Sequence, residues 1–272
     1  MGRSLREEFP TVIDRAYKEY SKFHLVEEIM SKNVITIEPE ESMAKAAKIM
    51  GENHIGSLIV TIEGKAKAII TERDLLSKIL AKGKDPKTVT VREVMSSPLI
   101  TINPTSTIKI ASKMMIEKKG RLVVFHEGKL VGIITASDLI RTLPEVPETL
   151  LKVDDIMTKE VETSEGDTTV GRIAKIMGEK RIGSVIITKN KQPHGIFTER
   201  DILTTFLAKE KTLDTMVGNV ASSPLIIIPS GTSVHKAAYI MASKHVRRLP
   251  VMKDNKIVGI VTARDLVEAY AK

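Results

Sequence analysis

The sequence predicts an α+β/α/β chain built of four βαββα units set in two pairs. Three observations carry that prediction. The turns "TERD" (71–74), "TASD" (135–138), "TERD" (198–201) and "TARD" (262–265) recur at intervals of 64, 63 and 64 residues. Each is preceded by a related start: "VEEIMSKNVITI" (26–37), "VREVMSSPLITI" (91–102), "VDDIMTKEVETS" (153–164) and "VGNVASSPLIII" (217–228). Between start and turn one apolar pattern repeats. Self-similarity at a fixed period is the mark of a repeat architecture and takes precedence over local reading.

Each unit opens with a short β-branched run ending the shared start. A helix follows, because Met43, Ala46, Ala47 and Met50 stand at i, i+3, i+4 and i+7. Ile108, Ala111, Ser112 and Met115 repeat the pattern, as do Val170, Ile173, Ala174 and Met177, and Val234, Ala237, Ala238 and Met241. That spacing lines one helical face, so the stripes are read as core. Two β-branched runs come next, such as "SLIVTI" (57–62) and "AKAIIT" (66–71), separated by polar turn residues such as Glu63-Gly64 or Lys253-Asp254-Asn255. Thr-x-x-Asp then leads into a second amphipathic helix.

The repeats alternate. The first and third share "IMGE" (49–52, 176–179), "IGS" (55–57, 182–184) and "TERD". The second and fourth share "SSPL" (96–99, 222–225) in their starts and a Lys-apolar-Val-Gly-Ile run (129–133, 256–260). Duplication of a pair explains this. The expected organisation is an N-terminal extension (1–24), a first pair (25–145, motifs 25–82 and 90–145) and a second pair (148–272, motifs 152–208 and 216–272). Pro144 and Pro147 stiffen the connection across 141–152. In the extension Val12, Ile13, Ala16, Tyr17 and Tyr20 line one helical face, read as a cover on the first pair.

Composition narrows the function. With 42% hydrophobic and 28% charged residues the chain reads as globular, and no 20-residue apolar span or signal-peptide h-region is seen. The expected location is cytoplasmic, with no membrane partner. The absence of cysteine excludes thiol nucleophiles and zinc-thiolate sites. A net charge of +8 favours anionic partners.

The unit resembles the CBS motif, named for cystathionine beta-synthase, and four of them cover residues 25–272. A four-motif chain is similar to the gamma-subunit family of AMP-activated protein kinase and to archaeal stand-alone CBS proteins. The resemblance implies motifs paired about pseudo-two-fold axes, with clefts that bind AMP, ADP, ATP or another adenosyl compound. It also implies that ribose and phosphate are held by Thr71 with Asp74, Thr135 with Asp138, Thr198 with Asp201, and Thr262 with Asp265. The first strand lends a small polar residue to the adenine, here Thr36, Thr101 and Thr163; the fourth repeat has Ile227 instead.

The residues carry a reading of their own. A threonine followed three residues later by an acid is close to a capping box, in which the two side chains satisfy each other's backbone amides. Glu72 and Glu199 would suit the first turn of a helix. Capping and ribose binding are compatible, since a diol needs a rigidly held carboxylate. Seventeen residues before each threonine stands a basic or potentially basic side chain: His54, Lys118, Arg181 or His245. Fourteen before stand Ser57, Arg121, Ser184 and Arg248. Arginine forks suit phosphate oxygens, and Arg73, Arg200 and Arg264 could join them. "HVRRLPV" (245–251), with His245, Arg247 and Arg248, is the expected phosphate wall; the resemblance, in which sites are shared between paired motifs, implies that it serves the nucleotide held by Asp201.

Tryptophan is absent and aromatics make up 3%, so adenine would lie between Ile, Val and Leu, and a single-strand nucleic-acid platform is disfavoured. There is no Walker-type phosphate loop, no paired metal spacing among the six histidines and no catalytic constellation. The chain therefore reads as a regulatory sensor of adenine nucleotides, not an enzyme, that needs no cofactor. It would report occupancy to a protein partner, as monomer or homodimer. The alternatives are an S-adenosylmethionine sensor, a basic nucleic-acid-binding protein, and a scaffold whose turns only cap helices.

Overall fold

The computed structural model describes residues 24–118, 120–142 and 150–271. The apolar face of the N-terminal extension and both linker prolines lie outside the described residues. Among the described residues there are four three-stranded sheets, each with its strands in chain order. In the first repeat Thr36–Ile37 runs parallel to Ser57–Ile62, which pairs antiparallel with Lys65–Thr71. The parallel step requires a crossover, supplied by the helix Met43–Glu52. The other repeats use Ile108–Glu117, Val170–Lys180 and Val234–Ser243.

The predicted stripes form the core. Met43, Ala46, Ala47 and Met50 are fully buried, and Val170, Ile173, Ala174 and Met177 nearly so. Burying one such methionine contributes about 1.5–3 kcal/mol. Each crossover helix begins at a side-chain cap: Ser42, Thr107, Thr169 and Ser233 accept from the amides of Lys45, Ile110, Arg172 and Lys236. The hairpins turn on two residues with positive φ, namely Glu63-Gly64, Glu127-Gly128, Asn190-Lys191 and Asp254-Asn255. Such turns match the twist of the flanking strands.

The chain divides into two compact units that group alternate repeats. One comprises residues 34–99 and 161–226, the other the described residues within 1–33, 100–160 and 227–272. The shared starts link consecutive repeats: each leaves its own sheet and bridges to the third strand of a neighbour. Ser31 pairs with Ile133, Ser96 with Ile69, Thr158 with Ile260, and Ser222 with Ile196. The glycine of the Lys-apolar-Val-Gly-Ile run has its reason here, because a Cβ on Gly132 or Gly259 would strike Met30 or Met157 of the crossing start.

Packing inside the units accounts for the alternation. In the unit of the first and third repeats, Met43–Glu52 packs against Ile202–Leu207, and Val170–Lys180 against Leu75–Ile79. A Cβ on Gly51 would lie 2.6 Å from that of Ala208 and 2.9 Å from the Leu203 carbonyl oxygen. On Gly178 it would lie 2.5 Å from the Ala81 Cβ and 2.6 Å from the Leu76 oxygen. The "IMGE" glycines thus permit backbone to approach backbone. The segments they meet, Leu75–Ile79 and Ile202–Leu207, are π-helical, whereas the even repeats continue as α-helices, Ala136–Thr142 and Ala263–Ala271. The final helix of the first and third repeats therefore departs from the uniform helix expected.

Candidate functional site: four Thr-x-x-Asp turns

Three of the four turns close as reciprocal caps, and all four lock the aspartate through Oδ2. The Thr71 amide and hydroxyl donate to Asp74 Oδ2 at 2.9 and 2.7 Å, and the Asp74 amide donates to Thr71 Oγ1 at 3.3 Å. Thr198 meets Asp201 Oδ2 at 2.7 and 2.8 Å, and Thr262 meets Asp265 Oδ2 at 2.8 Å from both groups. Thr135 meets Asp138 Oδ2 at 2.8 and 2.7 Å, but there the Asp138 amide turns to the Thr135 carbonyl. Two donors on one carboxylate oxygen hold the ring rigidly. Capping is therefore present in every repeat, and it presents an oriented acceptor.

What meets Oδ1 differs between turns. Lys78 Nζ stands 2.7 Å from Asp74 Oδ1. Arg141 pairs with Asp138 Oδ1, which Ser31 Oγ also approaches at 3.5 Å from the crossing start. Neither cation was singled out from sequence, although acid and base at i, i+4 and i, i+3 are recognisable helix pairs. In the fourth turn Glu268 stands where Arg141 does in the second. Burial pushes the Asp265 carboxyl above its ordinary range, against the Thr262 amide and hydroxyl, and the Glu268 charge adds to the rise.

Strand register brings the residues fourteen positions back beside each threonine. Ser57 lies across from Thr71, Ser184 from Thr198, and Arg248 from Thr262. Leu122 pairs with Ile134, so Arg121 lies level with Thr135. Directly opposed residues share one sheet face with Cβ atoms about 5 Å apart. The turn is also tied to this strand by its backbone, through Glu72 N to Gly56 O, Glu199 N to Gly183 O and Ala263 N to Arg247 O.

The residues seventeen positions back end the crossover helices. His54, Arg181 and His245 adopt left-handed backbone with φ of 53°, 54° and 54°. Glycine or asparagine is favoured at such a position, and an ordinary side chain there costs on the order of 1 kcal/mol. Three repeats nevertheless carry an exposed imidazole or guanidinium. Lys118 keeps right-handed backbone and is also exposed. Thr36, Thr101 and Thr163 are exposed on the first strands, and Ile227, the exception, is 42% exposed.

By unit, Thr36, His54, Thr71, Asp74, Thr163, Arg181, Thr198 and Asp201 fall in one; Thr101, Lys118, Arg121, Thr135, Asp138, His245, Arg247, Arg248, Thr262 and Asp265 fall in the other. Arg248 lies across the strand pair from Thr262 in the same unit. The turn arginines have other engagements than those expected. Arg264 Nη2 donates to the Met115 carbonyl at 3.0 Å. Arg73 Nη2 stands 3.3 Å from Glu199 Oε1, and Arg200 Nε 3.5 Å from Glu72 Oε1. Glu72 and Glu199, expected only as favourable first-turn charges, are 3% and 6% exposed and reach across to the opposite turn. No cluster of metal-ligating side chains occurs among the described residues.

Comparison with known proteins agrees with this architecture. Residues 26–81, 91–145, 153–208 and 217–272 each match the CBS domain family. The chain belongs to that family. Protein MJ1404 of Methanocaldococcus jannaschii is 29% identical over 265 residues, which cover 90% of this chain and 62% of that protein. Protein MK0525 of Methanopyrus kandleri is 37% identical over 128 residues, 46% of this chain and 65% of its own. The matches thus span less than two thirds of the length of these two relatives. The crystal structure of MJ1225 from M. jannaschii, described as a candidate archaeal homologue of g-AMPK, superposes with a TM-score of 0.75 at 23% identity, covering 90% of this chain and 99% of that one. A Pyrococcus horikoshii protein does so at 0.62 and 20% identity with the same coverage. These two likenesses concern the fold.

Proposed function

We propose that the chain is a regulatory sensor that binds adenine nucleotides (AMP, ADP or ATP) at its Thr-x-x-Asp turns and reports occupancy to a partner protein. The observation that carries this reading is the geometry repeated in all four turns. A carboxylate is locked through Oδ2, and a basic or hydroxyl side chain stands across the strand from its threonine. A ribose diol donates to Oδ1, and the phosphate meets cationic side chains such as Arg248 and His245. Family membership supports the reading, as does the description of MJ1225 as a candidate g-AMPK homologue. Binding would act through a shift between arrangements of the motifs, no larger than the ligand's differential affinity for them. On this reading the protein acts by binding and performs no catalysis.

Thermal shift and equilibrium dialysis with AMP, ADP, ATP, S-adenosylmethionine and a single-stranded oligonucleotide test it. The expected result is saturable nucleotide binding whose affinity changes modestly between about 0.05 and 0.2 M salt. Affinity for the oligonucleotide alone, falling steeply over that range as counterion release demands, would contradict it.

A further inference from the structure

The second and fourth turns lie in one unit and lock their aspartates alike, yet their remaining carboxylate oxygens are engaged differently. Thr135 fills Asp138 Oδ2 with two donors, its amide and its hydroxyl. Arg141 pairs with Oδ1, and Ser31 Oγ approaches the same oxygen at 3.5 Å. Each carboxylate oxygen accepts about two hydrogen bonds, so Asp138 has a donor for every place. Asp265 is held through Oδ2 by the Thr262 amide and hydroxyl in the same way. There Glu268 stands at the position of Arg141 and brings a like charge instead of a donor. Thr262 is the one hydrogen-bond partner of Asp265 among the described residues.

We infer that Arg141 keeps the second turn closed to ribose, so that this unit takes its nucleotide at Thr262–Asp265 and not at Thr135–Asp138. The inference deepens the proposed function and rests on it. A ribose diol brings two hydroxyl donors, and with Oδ2 filled both must find places on Oδ1. At Asp138 they would have to displace a guanidinium and a serine hydroxyl. That exchange puts a neutral donor in place of a charged one, on a carboxylate whose side chain is only 4% exposed. Breaking a pair at its buried end leaves a charge that solvent does not compensate. The guanidinium end is 61% exposed, which weakens the pair through water, but the carboxylate cannot turn to water in its place. At Asp265 the same diol displaces no donor of the described residues. The first turn, in the other unit, is intermediate. Lys78 Nζ lies 2.7 Å from Asp74 Oδ1 and 2.6 Å from the Val94 carbonyl oxygen, and so takes one place of the two. Arg141 acts on the ligand only through Asp138, as the residue that decides whether this turn is read.

The test is calorimetric titration of the full chain with AMP, which counts the equivalents bound. The unsubstituted protein is expected to bind fewer equivalents than it has Thr-x-x-Asp turns. Arg141→Ala is expected to add one equivalent, and Asp138→Asn in that background to remove it again. A merely structural role for Arg141 would add none. Arg141→Met, which keeps the length of the side chain without a donor, serves if the alanine variant fails to fold. An equivalent at every turn of the unsubstituted protein, all within about tenfold in affinity, overturns the closure and leaves the proposed function standing. So does a folded Arg141 variant that gains no equivalent, or one whose added equivalent survives Asp138→Asn. Absence of saturable AMP binding by the unsubstituted protein overturns the proposed function, and the inference with it.

Discussion

Arg248 stands directly across the antiparallel ladder from Thr262, the threonine that locks Asp265. The ladder thus fixes a guanidinium and a carboxylate on neighbouring positions of one sheet face. Replacing Arg248 by Ala is predicted to weaken AMP binding at this turn about tenfold, the loss of one charge-assisted phosphate contact. Titration checks the affinity, and melting of the variant shows how much of the change comes from stability.

Capping and ligand binding separate by choice of substitution. Asp201→Asn keeps an acceptor for the Thr198 amide at the position of Oδ2 and changes Oδ1 into a donor. Thr198→Val removes the hydroxyl that the Asp201 amide meets at 3.4 Å. The valine variant is predicted to lose about 1 kcal/mol of stability, as for other lost caps. The asparagine variant should lose less stability yet more nucleotide affinity. The reverse order would make the turn a cap and nothing more.

Gly51→Ala and Gly178→Ala are predicted to destabilise by about 1–3 kcal/mol although alanine is the better helix former. The added methyls would meet backbone oxygens at 2.9 and 2.6 Å, which side-chain repacking cannot relieve. Urea denaturation of the two variants checks this. A gain in stability would mean that the close helix approach is not kept in solution.

Asp265 gives a pH dependence with a definite sign. Burial raises its carboxyl above 3.8 in the folded chain, so the fold binds that proton more tightly than the unfolded chain does. Its contribution to stability is present at low pH and is lost as pH rises from 3.8 through the raised folded value. Asp265→Asn removes that loss. The variant's stability relative to the unsubstituted protein should therefore rise between about pH 4 and pH 7. Chemical denaturation across that range measures it, and a flat or falling difference contradicts the assignment.

Much of this was legible in the sequence because its signals are local. A stripe such as Met43–Met50, a turn such as Glu63-Gly64 and a cap such as Thr71–Asp74 are each set within a few residues, and fourfold recurrence multiplies the signal. Family and fold followed from that recurrence. Strand register then explains why positions fourteen residues before each threonine had stood out. What the sequence hid depends on segments far apart in the chain. Ser31 meets Ile133, Gly51 meets Leu203, and Arg73 meets Glu199, with no periodicity to announce any of them. The words "IMGE" and "TERD" did mark the first and third repeats as alike. Their cause, packing of those two repeats against each other, is visible only in three dimensions. The π-helical turns after Asp74 and Asp201 belong with it, because propensity alone favours an α-helix over those leucines and isoleucines.

The most direct test of the central claim is isothermal titration of AMP, ADP, ATP and S-adenosylmethionine into the full chain at about 0.15 M salt, beside the quadruple variant Asp74→Asn, Asp138→Asn, Asp201→Asn and Asp265→Asn. The account predicts saturable binding of at least one nucleotide, micromolar or tighter, that the folded quadruple variant loses. Nucleotide binding undiminished in that variant, or no binding of any of the four compounds to the unsubstituted protein, would contradict it.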